Sequence, residues 1–116
     1  MSHIKFHPSL ITEIKSGDKR LTIRYNFDGK LRTGDDLKFV NSHNNQIFGN
    51  GICIDIYGLT VKGVIETEWE YHNNYANLYD FNRHFSNFYD IEFVLDDELT
   101  VIEWGDLFHP SPYYDG

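Results

Sequence analysis

Residues 14–24 read IKSGDKRLTIR, and the way this stretch divides decides the fold. Its first half ends a helix. Pro8 suits a first helical turn, Leu10, Ile11 and Ile14 form an apolar stripe, and Gly17 can leave the helix in the left-handed conformation. The spacing predicts a helix over about residues 8–16. The second half alternates. In RLTIRY, residues 20–25, Leu21, Ile23 and Tyr25 face one side of a strand, while Arg20, Thr22 and Arg24 face the other. Lys19 stands at the mouth of that polar face.

Working outward, NFDGK (26–30) is a turn, and Thr33-Gly34-Asp35 turns the chain into a strand at about 37–41. In IFGNGICIDIYG, Ile52, Ile54 and Ile56 share one face of a strand, and Gly49 and Gly51 mark a bulge or a close backbone approach. LTVKGV (59–64) reads as a further strand, and ETEWEYHNNYAN commits to neither period. Leu78, Phe81, Phe85 and Phe88 recur at helical spacing behind Asn77, a cap residue, which predicts a helix over 78–88. IEFV and ELTVIEW read as strands separated by an Asp96-Asp97 turn, and GDLFHPSPYYDG as a surface tail. The expectation is one α+β domain over 1–116, with a core at about 4–104 and a tail at 105–116. Its five to six strands curl into a small β-barrel with two or three flanking helices.

Composition sets the bounds. A chain of 116 residues that is 41% hydrophobic and 16% aromatic has the apolar content for one packed core. The single cysteine, Cys53, excludes an intramolecular disulfide and a cysteine-based zinc cluster, which fits a reducing cytoplasm. No apolar run has the length of a signal peptide or a membrane span. The six histidines show no paired ligand spacing, so neither a metal nor another cofactor is expected. Net charge is -8 but uneven: residues 1–40 carry eight basic groups against five acidic, and residues 41–116 carry two against thirteen. An acidic chain of this kind is a poor partner for long nucleic acid, yet a local basic site can hold a short strand or a nucleoside.

That local site is the Lys19, Arg20, Thr22, Arg24 group. Arginine offers planar donors to a phosphate or a base edge, and lysine offers a charge that becomes a base when desolvated. A threonine hydroxyl can bind a ligand, or attack one if an amine takes its proton. Trp69, Tyr71 and Tyr75 lie in the irregular stretch where a base could stack. Phe81, Phe85 and Phe88, at helical spacing, instead read as core.

The ordered set of helix, SGDK, LTIR, turn, LRTGDDLKF and IFGNGICIDI resembles the ASCH domain of the PUA-like superfamily. NLYDFNRHFSNFYD and LTVIEW extend the resemblance over most of residues 6–104. It implies a small β-barrel whose cleft handles RNA or modified nucleosides. It also implies a likeness to small bacterial proteins that hydrolyse the amide of acetylated cytidine. In those a lysine, a threonine and a glutamate form the catalytic group. By this resemblance Lys19 would be the base, Thr22 the nucleophile and Arg24 the strand arginine. The glutamate would fall on Asn73 or Asn74, neither of which can take a proton; Glu68 or Glu70 could serve in its place. Arg20, Arg24, Trp69, Glu70, Asn73, Asn74 and Tyr75 complete the expected ligand contacts. An alternative from another class uses the acidic remainder as a nucleic-acid mimic that occupies a basic partner protein.

Overall fold

The first element is absent from the expected order. In a computed structural model of the chain, which describes residues 2–105 and 108–110, SHIKF forms a strand, β1 (Ser2–Phe6). Ile4 and Phe6 enter the core while His3 and Lys5 face out, the period-2 pattern of a half-buried strand. A 3-10 turn at Pro8–Leu10 leads into α1 (Ile11–Ser16), and Gly17 stops it at φ +84°, a conformation open to glycine at little steric cost. β2 (Leu21–Tyr25) follows. The helix stop and the strand of the opening stretch therefore stand as expected.

Two sheets carry the chain. In the first, β1 runs parallel to β3 (Asp36–Asn41), which pairs with β4 (Ile47–Ile52), which pairs in turn with the two-residue β7 (His109–Pro110). In the second, β6 (Glu98–Glu103) lies antiparallel between β2 and β5 (Asp55–Thr60). The α+β class is as read. The expected continuous barrel is not: among the described residues the sheets stay separate.

The break falls where one long strand was expected. Cys53 donates its N–H to the Asp35 carbonyl at 2.9 Å, and Ile54 donates to Glu103 at 2.8 Å. The backbone is thus handed from the first sheet to the second between neighbouring residues. Ile52 and Ile54 are exposed and Ile56 is half-buried, so they do not form one apolar row. The glycine reading fares better. The β3–β4 register slips between Phe39 and Val40, beside Gly49, and a Cβ on Gly49 would sit 2.3 Å from the Phe108 ring.

Two further strand expectations give way to capping. Thr60 accepts the Gly63 N–H at 3.1 Å and starts α2 (Val61–Glu66), which buries Val61 and Val64; the cap outweighs the β-propensity of LTVKGV. IEFV is held outside a sheet. Asn82 takes the Phe93 N–H at 2.8 Å and donates to its carbonyl at 3.0 Å. α3 (Leu78–Phe85) begins at the Asn77 cap, as expected, and ends a turn early. Of the expected tail, residues 106, 107 and 111–116 lie outside the described residues, while Phe108 stacks on Phe39.

Each sheet has its own core. Phe6, Phe39, Phe48 and Trp104 pack with α1 against the first; Phe81, Phe85, Phe93 and Val101 pack with α3 against the second. None of the described helices is long and apolar enough to cross a membrane.

Candidate functional site

A cleft of about 450 Å³ opens where β1, α1, β2, the 70–73 loop and the end of α3 converge. Lys19, Thr22 and Arg24 all line it. The left-handed Gly17 turns the chain back so that the Lys19 N–H reaches the Glu13 carbonyl at 3.0 Å. That contact brings the lysine under the helix end. Lys19 is 7% exposed and Thr22 5% exposed.

Burying an amine disfavours its charged form. Burial first, and then the nearby Arg24 charge, bring the Lys19 ammonium down to about 7, against a smaller opposing pull from Glu13. Its Nζ lies 3.0 Å from His72 Nδ1, and His72 Nε2 lies 3.2 Å from the Tyr75 hydroxyl. Burial, followed by Lys19 and His84, pushes His72 down to about 2, so the imidazole is neutral and can accept an N–H from the lysine. Burial raises the Tyr75 phenol, so it stays protonated.

Thr22 has a different neighbour. Its Oγ1 accepts from Arg24 Nε at 2.9 Å, which leaves its own O–H free to point elsewhere. Arg24 Nη2 donates to the Lys5 carbonyl at 2.7 Å, and the guanidinium lies 4.9 Å from the Phe6 ring centroid. The arginine is therefore fixed on three sides and faces the cleft as an oriented donor rather than a swinging charge.

The remaining expected residues divide. Glu70 and Asn73 line the cleft. Arg20 does not. β2 starts one residue after it, and its Nε donates to the Gly17 carbonyl at 2.9 Å while its guanidinium lies 3.6 Å from the Tyr71 ring centroid. Trp69 is buried in the second core, with its indole N–H on the Val64 carbonyl at 3.0 Å. Asn74 clamps that same residue, accepting its N–H and donating to its carbonyl. Tyr75 is buried and sits behind His72. Neither of these two rings is open to the cleft; Tyr71, the third expected stacking residue, is exposed on the cleft wall, and so is Phe88, which was expected in the core but lies beyond the end of α3 with its ring beside His84.

His72, His84 and Glu13, which also line the cleft, were not among the expected site residues. The signal for His72 was present but faint: a histidine three residues before a tyrosine, in an aromatic segment without a period. Glu13, Asp18 and Glu70 bring carboxylates to the rim. Among the described residues no carboxylate is hydrogen-bonded to Lys19 or Thr22, and no three His, Cys, Asp or Glu side chains are grouped to hold a metal.

These observations define a class: a two-sheet α+β domain with a buried lysine, an oriented hydroxyl and a fixed guanidinium in one cleft. The fold is that of ASCH-domain proteins. Crystal structures of two point variants of ZmASCH from Zymomonas mobilis match it with TM-scores of 0.65 at 13% identity. The matches cover 93% of this chain and 68% and 70% of theirs. At that identity the likeness carries the fold, and it supports the resemblance drawn from SGDK and LTIR at that level. No protein-family model and no curated protein matches the sequence.

Proposed function

We propose that the domain takes a modified pyrimidine nucleoside, free or within a short RNA, into the Lys19–Thr22–Arg24 cleft and hydrolyses an acyl amide on its base. Acetylated cytidine is the model substrate. The two sheets are, in this reading, an opened version of a PUA-like barrel with the cleft at its opening. One observation carries the proposal: a buried amine that is substantially unprotonated near pH 7 shares a cleft with a hydroxyl already accepting from a guanidinium.

The chemistry follows from those groups. Neutral Lys19 takes the Thr22 proton as the hydroxyl oxygen attacks the amide carbonyl. The Arg24 donor stabilises charge that develops on the oxygen. The Lys19 ammonium returns its proton to the departing base amine, leaving an acyl ester on Thr22; a water then gives its proton to Lys19 as it adds to the ester carbonyl, and Lys19 passes that proton to the departing Thr22 oxygen, which releases the carboxylic acid and restores both groups. About 450 Å³ suits a nucleoside-sized ligand. Glu13, Asp18 and Glu70 near the basic groups disfavour a run of phosphates inside the cleft, so a nucleoside within a short RNA enters by its neutral base with the phosphates left outside.

A second reading, a binder without turnover, is favoured by Asn73 on the cleft wall where the resemblance expects a glutamate. Chromatography of acetylated cytidine incubated with the protein separates the two. Turnover that falls at least about a hundredfold in both Lys19→Ala and Thr22→Ala supports hydrolysis. Binding by NMR titration without turnover supports the binder, and the absence of both removes the nucleoside reading. Capture of a basic protein partner, unchanged in the two variants, would point to the acidic surface instead.

A further inference from the structure

Lys19 is useful as a base only if its lone pair is available to the cleft, and the buried side of the amine has its own partner. Nζ lies 3.0 Å from His72 Nδ1, and the far nitrogen of the same ring lies 3.2 Å from the Tyr75 hydroxyl. The chain of contacts runs inward, from the cleft to a tyrosine that is 5% exposed. We propose that His72, held by Tyr75, is the positioning residue for Lys19. It takes one lysine N–H in either charge state and aims the rest of the amine at the cleft. The inference rests on the reading of Lys19 as the base of this site.

The argument is one of hydrogen-bond inventory. A lysine amine bears hydrogens whether it is charged or neutral, so an acceptor beside it stays useful through its titration. An imidazole is such an acceptor only in the tautomer with a bare Nδ1. The lysine ammonium, which has donors only, requires that tautomer, and Nε2–H is then left to donate to the Tyr75 oxygen. A carboxylate in the place of His72 would also accept, but it would favour the ammonium and hold the lysine charged. A neutral ring gives orientation without that penalty on the free base. The other groups facing the amine are Arg24 on β2, Glu13 on α1 and His84 on α3. Arg24 works with the burial, Glu13 opposes it, and burial lowers His84 itself. None of them has a hydrogen bond to the amine among the described residues.

Direct NMR titration of the Lys19 amine and of the His72 ring nitrogens in the full chain tests this without any substrate. In the wild type, His72 is expected neutral, with Nδ1 bare and Nε2 protonated, throughout the lysine titration. His72→Gln, whose amide oxygen can accept the same N–H, should leave the lysine midpoint within about half a pH unit. His72→Glu should raise it by about 1–3 pH units. A lysine midpoint unmoved by His72→Glu, in a variant that keeps wild-type backbone shifts, overturns the proposal, as does a wild-type His72 with Nδ1 protonated. Should His72→Glu fail to fold, the tautomer assignment in the wild type decides alone. Loss of acetylated-cytidine turnover as the test outcome would strike the reaction and leave the titration result standing, so the two failures are distinguishable.

Discussion

Lys62 and Lys19 each sit next to a side-chain partner, in opposite surroundings. On the surface of α2, Lys62 reaches Glu66 at 3.9 Å across one helical turn, with both side chains more than 60% exposed. In the cleft, Lys19 meets a neutral imidazole at 3.0 Å and is only 7% exposed. The first pair is a solvated contact of opposite charges that costs the fold little to make or lose. The second puts a cation where the fold resists it, and the consequence is an amine that titrates near neutrality. The residue type is the same. Solvent access and the partner's charge convert one copy into a candidate base, and the predictions below test that contrast.

The largest effect should come from removing the buried charge. Below about pH 7 the folded and unfolded chains both carry the Lys19 ammonium, and the fold bears the whole cost of its burial. Between about 7 and the ordinary lysine value of 10.5 the unfolded chain holds the proton and the folded one does not, so stability rises with pH. Urea unfolding from pH 7 to 9 should show a slope of up to about 1.4 kcal/mol per pH unit in the wild type. Toward pH 9 the buried Cys53 thiol, whose pKa is raised from the ordinary 9.0, adds a linkage of the opposite sign and flattens the slope in the wild type and in a Lys19 variant alike. Lys19→Met should flatten the slope and be more stable than the wild type at pH 6.5 by a few kcal/mol. Equal slopes in the two proteins would show that the cleft does not hold a desolvated ammonium.

A smaller effect should follow from loosening the loop that closes over the lysine. Asn74 fastens Trp69 through both its N–H and its carbonyl, and His72 lies between those two residues. Asn74→Ala removes both hydrogen bonds and should cost about 1–3 kcal/mol in thermal or urea unfolding. If exclusion of water is what separates the two lysines, water admitted by the slack loop should also move the Lys19 titration upward. A destabilised variant with the Lys19 midpoint unmoved would assign the shift to the Arg24 charge instead of burial.

The contrast between the lysines also marks what could be read from the sequence. The helix stop at Gly17, the alternation through Thr22 and Arg24, the Asn77 cap and the tight approach at Gly49 are local signals, and local chemistry encodes them. The division into two sheets is not local. It depends on Cys53 and Ile54 finding carbonyls of Asp35 and Glu103, which are remote or on the other sheet. The same holds within the site. Lys19, Thr22 and Arg24 are close in sequence and share a cleft wall, while Arg20 obeys the alternation on paper but sits before the strand begins, with its guanidinium on Tyr71. His72 is 53 residues from the lysine it touches. Nothing in a segment without a period announces which of its aromatic or polar side chains will turn inward, so Trp69 and Tyr75 read as stacking faces and are core.

Lys62→Ala is the comparison's low end, and its value lies in being small. The Lys62–Glu66 pair is of the i, i+4 type, in which screening and side-chain entropy leave about 0.3–0.5 kcal/mol even in favourable geometry. At 3.9 Å between nitrogen and oxygen, the contact is at the long limit of an ion pair, so the loss should fall at or below that range and shrink further in high salt. The expected result is an unfolding curve shifted by less than about 0.5 kcal/mol, with acetylated-cytidine turnover unchanged because α2 contributes no residue to the cleft lining. A loss comparable to that of Asn74→Ala would mean that α2 is tied to the fold through its charge as well as through Val61 and Val64. The surface lysine could not then serve as the solvated reference against which Lys19 is judged.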